Sequence, residues 1–340
     1  MFEKQIKIPE PEEIKERVPL PENLKKIKEE RDRAVSDVIT GRSDKLVVIV
    51  GPCSAHAEKP VLDYVERLGR LNERVKDKLV IVPRIYTNKP RTKGVGYKGM
   101  FSQPDPTKSE DILKGILTIR DLNVKAIESS GLAAADEMLY PANYAYIDDL
   151  LSYVAVGARS SENQLHRLVA SGMDVAVGIK NPMSGSIMVL LNSIYAAQSG
   201  QTFKLNGWQV RTDGNPLSHA ILRGGVDGYG NDIPNFHYET VMQVIEGYDK
   251  SGLKNPAIII DANHSNSGKK FRQQIRICEE VMNNRLYDND FKKNVKGFMI
   301  ESFIEEGNQS EDKVYGKSIT DPCLGWCDTE RLLLDTADKV

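Results

Sequence analysis

The stretch KLVVIVGPCSAH, Lys45–His56, is an unbroken apolar run that stops at Gly51-Pro52 and then presents a cysteine and a histidine. A short continuous run of β-branched residues suits a strand covered on both faces, as in a parallel sheet. Proline ends it because it has no N–H to give the ladder. The next residues stand at the strand's carboxyl end, where α/β barrels and open α/β sheets bind ligands. Cys53 therefore reads either as a small buried hydrophobe or as a thiol facing a ligand.

Outward from this stretch the pattern repeats. LVVIVGPC, LVIVPRIY, GLAAADEML, VAVGARSS, DVAVGIKN, HAILRGG, AIIIDANH and VKGFMIESF are eight strand candidates. Between them PVLDYVERLGRLNERV, SEDILKGILTIRDLNV, SENQLHRLVASG and FRQQIRICEEVMNNRL carry helical periodicity. About eight βα units predict an α/β fold of the (β/α)8 TIM-barrel type, for which about 250 residues plus insertions is usual. An open doubly wound sheet in two domains is the alternative, and no linker divides the chain. Residues 1–45, rich in Lys, Glu and Pro, read as an N-terminal helical arm, and residues 46–340 as the catalytic barrel. In the arm, ENLKKIKEERDRAVSDVITG predicts a helix over about Glu22–Thr40, with Leu24, Ile27, Ala34, Val35, Val38 and Ile39 apolar and Gly41 as its stop.

Composition narrows the class. The 340 residues, 40% hydrophobic, support a large core, and a net charge of -2 gives no sign of nucleic-acid binding. Cys53, Cys278, Cys323 and Cys327 are too few and too irregular for a disulfide framework. No apolar run approaches the ~20 residues of a membrane span, and the charged start lacks a signal peptide's apolar core, so a reduced, cytoplasmic protein with no membrane partner is expected.

Function is written at the strand ends. The second strand candidate ends in Arg84 and Tyr86, and the later ones in turn reach Glu137, Arg159, Lys180, Arg223, His264 and Glu301. Charged residues at nearly every carboxyl end describe an active-site mouth. The cations Arg84, Lys89, Arg91, Arg159, Lys180 and Arg223 would repel one another unless an anion compensates them, and guanidinium forks match phosphate and carboxylate oxygens. Singly, each could equally cap a helix or pair with an acid. Cys53, His264, Glu301 and an acid from the last loop form a mixed soft and hard donor set suited to a divalent ion such as Mn, Fe, Co or Zn. His264 alone could equally be a hydrogen-bonded core histidine. His56 is expected in the mouth, His166 on a helix, and His219 and His237 in sheet or helix-flanking positions.

Two motifs mislead. GVGYKG, Gly94–Gly99, satisfies G-x-G-x-x-G, but it follows a basic loop and runs into MFSQPDP rather than opening a helix, so it is no dinucleotide fingerprint. YGKS, Tyr315–Ser318, lacks the upstream glycine of a P-loop.

The segments GPCSAH, PRIYTNKPRTKGVGYKG, GARSSENQLHRLVASG, GIKNPMSG, ILRGG, DANHSNSGKKF, IESFIEEGNQ and YGKSITDPCLGW resemble, in order across residues 46–335, the type I 3-deoxy-D-arabino-heptulosonate 7-phosphate (DAHP) synthases. The resemblance implies a metal-dependent transferase that condenses phosphoenolpyruvate (PEP) with D-erythrose 4-phosphate and water and releases phosphate, the first step of the shikimate pathway to the aromatic amino acids. It implies Cys53, His264, Glu301 and Asp321 as metal ligands. Arg84, Lys89, Ala158, Arg159, Lys180 and Arg223 would surround PEP, with Glu137 nearby, and Pro90, Arg91 and Thr92 of KPRT would meet the aldose phosphate. Lys89, Glu137 and His264 would form the catalytic set, with Lys89 or a water on Glu137 handling protons.

The related eight-carbon synthase that uses arabinose 5-phosphate typically has an Asn in its counterpart of KPRT, so the uninterrupted motif favours erythrose 4-phosphate. A non-catalytic phosphosugar-binding barrel is a further alternative, against which the intact donor set argues. The resemblance also implies a homo-oligomer, dimer or tetramer, and an aromatic amino-acid effector, with the arm and a β-hairpin insertion at TFKLNGWQVRTDG serving assembly and control. DEMLYPANYAY departs from the enterobacterial pattern near the effector site, so the effector's identity stays open.

Overall fold

The computed structural model describes residues 1–91 and 94–340. In chain order the arm gives α1 (Pro11–Arg17) and α2 (Glu22–Ile39). Next come β1 (Leu46–Gly51), α3 (Glu58–Val75), β2 (Leu79–Pro83), α4 (Ile112–Ser130), β3 (Ala134–Glu137), β4 (Leu151–Val156), α5 (Gln164–Ala170), β5 (Ala176–Lys180) and α6 (Ile187–Gln198). A hairpin of β6 (Thr202–Leu205) and β7 (Trp208–Arg211) precedes β8 (Ser218–Leu222), the short β9 (Gly225–Val226) and β10 (Asp232–Ile233), and α7 (Tyr238–Ser251). The chain closes with β11 (Ile258–Asp261), α8 (His264–Ser267), α9 (Gln273–Tyr287), α10 (Asn289–Asn294), β12 (Val295–Glu301), β13 (Glu305–Asn308), β14 (Lys317–Ser318) and α11 (Trp326–Asp338).

The eight expected strands form one parallel sheet in the order β2-β1-β12-β11-β8-β5-β4-β3. A parallel bridge between Arg84 and Ala135 joins its two ends, so the sheet is a (β/α)8 barrel. Alternation along each strand sorts the core into two layers. Val48 and Val50 face the helices, whereas Val47, Ile49, Val80, Val82, Ile221, Ile259 and Met299 fill the barrel. The lower end of that filling comes from the arm: Val35, Val38 and Ile39 of α2 pack in the inner layer, so the helix stops the barrel's amino-terminal end. Its apolar stripe is thereby buried against the base.

One unit departs from the βα expectation. Between β3 and β4 stands only a 3₁₀ turn, Pro141–Tyr146. Pro141 can open a helix, but the short PANYAY segment is spent on a tight turn and leaves no room for an α-helix before β4.

Gly51 explains the abrupt end of the opening strand. A Cβ there would lie 2.4 Å from the Arg84 carbonyl oxygen, so only glycine lets β1 and the end of β2 approach this closely. Gly99 of GVGYKG, at φ +96°, lies against the Thr87 and Asn88 backbone, where a Cβ would come within 2.4 Å of the Thr87 oxygen. That glycine folds the loop onto the strand end, which accounts for the motif without a nucleotide.

Candidate active site

A cavity of about 350 Å³ opens at the carboxyl ends of the strands. Cys53, Arg84, Lys89, Pro90, Arg91, Glu137, Ala158, Arg159, Lys180, Arg223, His264 and Asp321 line it, with Tyr86, Asn88, Met183 and Lys269 among their neighbours. Glu301 lies beneath, 1% exposed. Thr92 lies outside the described residues. The expected residues thus converge from distant segments of the chain.

On one side is the donor set. One ligand atom each from Cys53, Glu301 and Asp321 lie within 4.8 Å of one another. Cys53 Sγ is 3.4 Å from Asp321 Oδ2, and His264 Nε2 is 3.9 Å from Glu301 Oε1. His264 adopts φ +51°, a left-handed conformation uncommon for a side-chain-bearing residue. The loop enforces it: Asn263 N donates to Asp261 Oδ1 at 3.0 Å, and Asn266 Nδ2 donates to the Asp261 carbonyl at 2.9 Å. Glu301 is fixed by Arg84 Nη2 at 3.0 Å and Asn263 Nδ2 at 2.6 Å. Arg84 is itself stacked 3.7 Å above the Tyr86 ring and donates to the Pro52 carbonyl. The chemistry of this set, thiol, imidazole and two carboxylates, fits a divalent ion. The set already attracts positive charge, since Lys89 Nζ lies 2.7 Å from Cys53 Sγ and 3.1 Å from Asp321 Oδ2.

The electrostatics agree with the geometry. Burial and then Glu301 push the Cys53 thiol up, with Lys89 opposing them. Burial would lower Lys89, but Cys53, Asp321 and Glu301 together hold its ammonium above the usual range. Asp321 lies below the usual carboxylate range because Lys89 and Lys269 outweigh its burial. A cation more highly charged than ammonium would draw the proton from the thiol.

On the other side are the anion-binding groups. Lys180 Nζ is 3.0 Å from Asp261 Oδ2, and the same oxygen is 2.8 Å from His264 Nδ1. Asp261 is fully buried, and His264 and Lys180 overcome that burial to keep it ionised far below its ordinary range. Arg223 Nη1 donates to Ser265 Oγ at 3.2 Å. Arg159 is exposed and makes no ion pair among the described residues. Asp261 and Lys269 escaped the sequence reading. Asp261 ends the AIIID run, so the strand-end rule could have found it, whereas Lys269 carries no signal beyond its basic loop.

His56 is not in this cavity, contrary to expectation. Ala55 N donates to the Tyr86 carbonyl at 2.8 Å, and the next side chain, His56, is buried edge-on against Phe303 with ring centroids 6.0 Å apart. The other three histidines lie as expected: His166 in α5, His219 in β8 and His237 just before α7. No helix among the described residues is long and apolar enough to cross a membrane, and all four cysteines are free.

Known proteins resemble the chain along the same lines. Residues 19–334 match the DAHP synthetase I family. The Phe-sensitive phospho-2-dehydro-3-deoxyheptonate aldolase of Escherichia coli (strain K12) is 39% identical over 340 residues, covering 97% of this chain and 93% of the relative. The phospho-2-dehydro-3-deoxyheptonate aldolase of Haemophilus influenzae is 36% identical over 348 residues, covering 100% of this chain and 93% of the relative. The solved structure of the Francisella tularensis SCHU S4 protein of that name superposes with a TM-score of 0.92 at 30% identity, covering 100% of this chain and 98% of the other.

Proposed function

The chain belongs to the DAHP synthetase I family, and from that premise we propose that it is a DAHP synthase, condensing PEP with D-erythrose 4-phosphate and water to DAHP and inorganic phosphate. The observation that carries this reading is the meeting, in one 350 Å³ mouth, of a cation cluster with a thiol-imidazole-carboxylate donor set. The names of the relatives specify a seven-carbon acid, which supports erythrose 4-phosphate over arabinose 5-phosphate as the acceptor, and an enzyme over a non-catalytic barrel.

Arg159, Lys180 and Arg223, with Arg84 and Ala158 beside them, hold the phosphate and carboxylate of PEP. Pro90, Arg91 and Thr92 meet the phosphate of the aldose. Cys53, His264, Glu301 and Asp321 would hold a divalent ion, whose Lewis acidity polarises the aldehyde oxygen when it is bound. C3 of PEP then forms the new bond to the aldehyde carbon. Water adds to C2, and the phosphohemiketal breaks its C2–O bond to expel phosphate, whose charge stays matched by the same cations. The adding water gives up a proton and the new alkoxide takes one. Lys89, 2.7 Å from Cys53, or a water on Glu137, which also lines the mouth, handles these transfers.

Residues 1–45 and the β6–β7 hairpin serve assembly as a homo-oligomer and response to an aromatic amino acid, in line with relatives named Phe- or Tyr-sensitive. A cytoplasmic location suits four unbridged cysteines. The test is direct: purified protein with PEP should release phosphate with erythrose 4-phosphate and not with arabinose 5-phosphate. Turnover of the pentose alone, or of neither sugar after supply of each candidate metal, would overturn the assignment.

A further inference from the structure

The amino-terminal end of the barrel, opposite the mouth, holds a second cavity of about 520 Å³ between the end of α2, the starts of β11 and β12, and helices α9 and α10. Two of its cations are largely buried: Arg285 is 5% and Lys296 is 9% exposed. Arg285 Nη1 donates to the carbonyls of Lys292, at 2.7 Å, and Val295, which carry no net charge. The Lys296 ammonium makes no hydrogen bond among the described residues, and neither cation is in an ion pair there. The Lys296 ammonium points toward the α2–β1 turn, 3.7 Å from the place a Cβ on Gly41 would occupy.

Burial lowers Arg285 to about 10, and burial followed by the charges of Arg285 and Lys293 lowers Lys296. Asp44 opposes both shifts without pairing with either. The end of α2, whose last turn has no basic residue, offers Lys296 at most about half a negative charge. In the cavity's lining Lys45, Arg285, Lys292, Lys293 and Lys296 outnumber Asp44, Asp249 and Asp290, and the two largely buried cations among them have no ion-pair partner, an arrangement proteins normally avoid. The exposed Lys292 and Lys293 add positive charge at the cavity's edge.

We propose that this cavity binds a small phosphoryl-bearing anion, with Arg285 and Lys296 as its floor and Lys292 and Lys293 as its rim. A dianion compensates more than one of these cations at once, and its several oxygens accept from both the guanidinium and the ammonium. The carboxylates of Asp44, Asp249 and Asp290 in the same wall disfavour an extended polyanion such as nucleic acid. The site shares no residue with the catalytic mouth.

The test is calorimetric titration with inorganic phosphate and, separately, glycerol 3-phosphate, each run on wild type and on a variant whose mouth is untouched. Wild-type protein should take up one more equivalent per chain than the Lys293→Met/Lys296→Met variant, or bind at least about tenfold more tightly. The tighter probe tells whether a free phosphate or a phosphomonoester is the occupant. Because the two proteins have identical mouths, any uptake of phosphate there cancels in the comparison. Equal heats and stoichiometry in both proteins would overturn the proposal. As a check on folding, Lys296→Met in phosphate-free buffer should melt no lower than wild type, since it removes a buried unpaired charge, and phosphate should raise the midpoint of wild type by more than that of the variant, both of which keep the mouth. A variant stabilised by phosphate as much as wild type would equally refute the site.

Discussion

The Lys89 ammonium lies 2.7 Å from the Cys53 sulfur and 3.1 Å from Asp321 Oδ2, two atoms that are themselves 3.4 Å apart. The contact ties the KPRT loop to the residue just past the Gly-Pro end of β1. It also makes the donor set sensitive to charge: adding a divalent ion must move the ammonium or take the thiol proton. Chelator-treated protein should therefore be inactive and recover with Mn or a similar ion. Cys53→Ser should need at least about tenfold more metal for half-recovery, since even loss of a group behind a ligand typically weakens metal affinity about 10–100-fold. Metal titrations of activity alongside circular dichroism decide this. Full activity of Cys53→Ala after chelation would remove Cys53 from the site.

Arg159 and Lys180 should differ in an informative way. Each is expected to contact an anionic group of PEP, and a charge-assisted hydrogen bond is worth about 1.5–3 kcal/mol, so each alanine variant should lose roughly 10–150-fold in kcat/KM for PEP. Arg159 is exposed and unpaired among the described residues, so Arg159→Ala should keep wild-type stability. Lys180→Ala also strands the Asp261 carboxylate, 3.0 Å away and fully buried, which should cost about 3–5 kcal/mol of folding stability. Steady-state kinetics and urea unfolding of the two variants separate the effects. Equal stability losses would mean that Asp261 is held by His264 alone.

His219 offers a pH test outside the mouth. Its Nδ1 lies 2.8 Å from the Leu217 carbonyl, which can only accept, so Nδ1 carries the proton and Nε2 accepts from Tyr153 at 2.8 Å. Burial pushes this imidazole down to about 4. A lowered histidine favours the folded state fully above its unfolded value of about 6.5, and that contribution is lost as pH falls through the folded value. His219→Asn keeps a donor for Leu217 but cannot titrate. Between pH 7.5 and 4.5, wild type should lose about 2.5 kcal/mol more stability than this variant, measured by urea unfolding. Parallel losses in the two proteins would show that His219 is not neutral in the fold.

The barrel is legible in the sequence because most strands announce themselves twice, by an apolar run and by a polar residue at the carboxyl end. Ala176–Lys180, Ile258–Asp261 and Val295–Glu301 all have this form. Where an element lacks a pattern of its own, reading fails. The Pro141–Tyr146 turn is too short for any period to register, and a barrel's regularity suggests a helix there. The destination of α2 is equally hidden, because an apolar stripe states that Val35, Val38 and Ile39 must be buried but not by what. In the mouth, ligand types are visible as residue types and Asp261 stands at a strand end, whereas its bridge between Lys180 and His264 emerges only once β5 and β11 are brought together around the barrel.

The start of the arm gives the last prediction. Its residues take no part in the mouth, yet they are pinned to the barrel's outside: Ile14 is fully buried, Arg120 Nε donates to the Val18 carbonyl at 3.0 Å, and Tyr146 Oη donates to the Pro9 carbonyl at 3.0 Å. Lys15 pairs with Asp148 at 2.6 Å. These partners lie in α4 and in or just after the PANYAY turn, so the arm's start braces the one unit that lacks a helix. Deleting residues 1–20 takes an acceptor from the buried Arg120 guanidinium, although Asp149, at 2.7 Å and 2.9 Å, still neutralises its charge. The expected cost is about 1–3 kcal/mol of stability, with kcat and both KM values close to wild type and any inhibition by Phe, Tyr or Trp, or the oligomer size, altered. Calorimetry, kinetics with each amino acid and light scattering of the two proteins check this together. If the truncated protein stayed folded at unchanged size and lost turnover, the arm would belong to the catalytic apparatus after all.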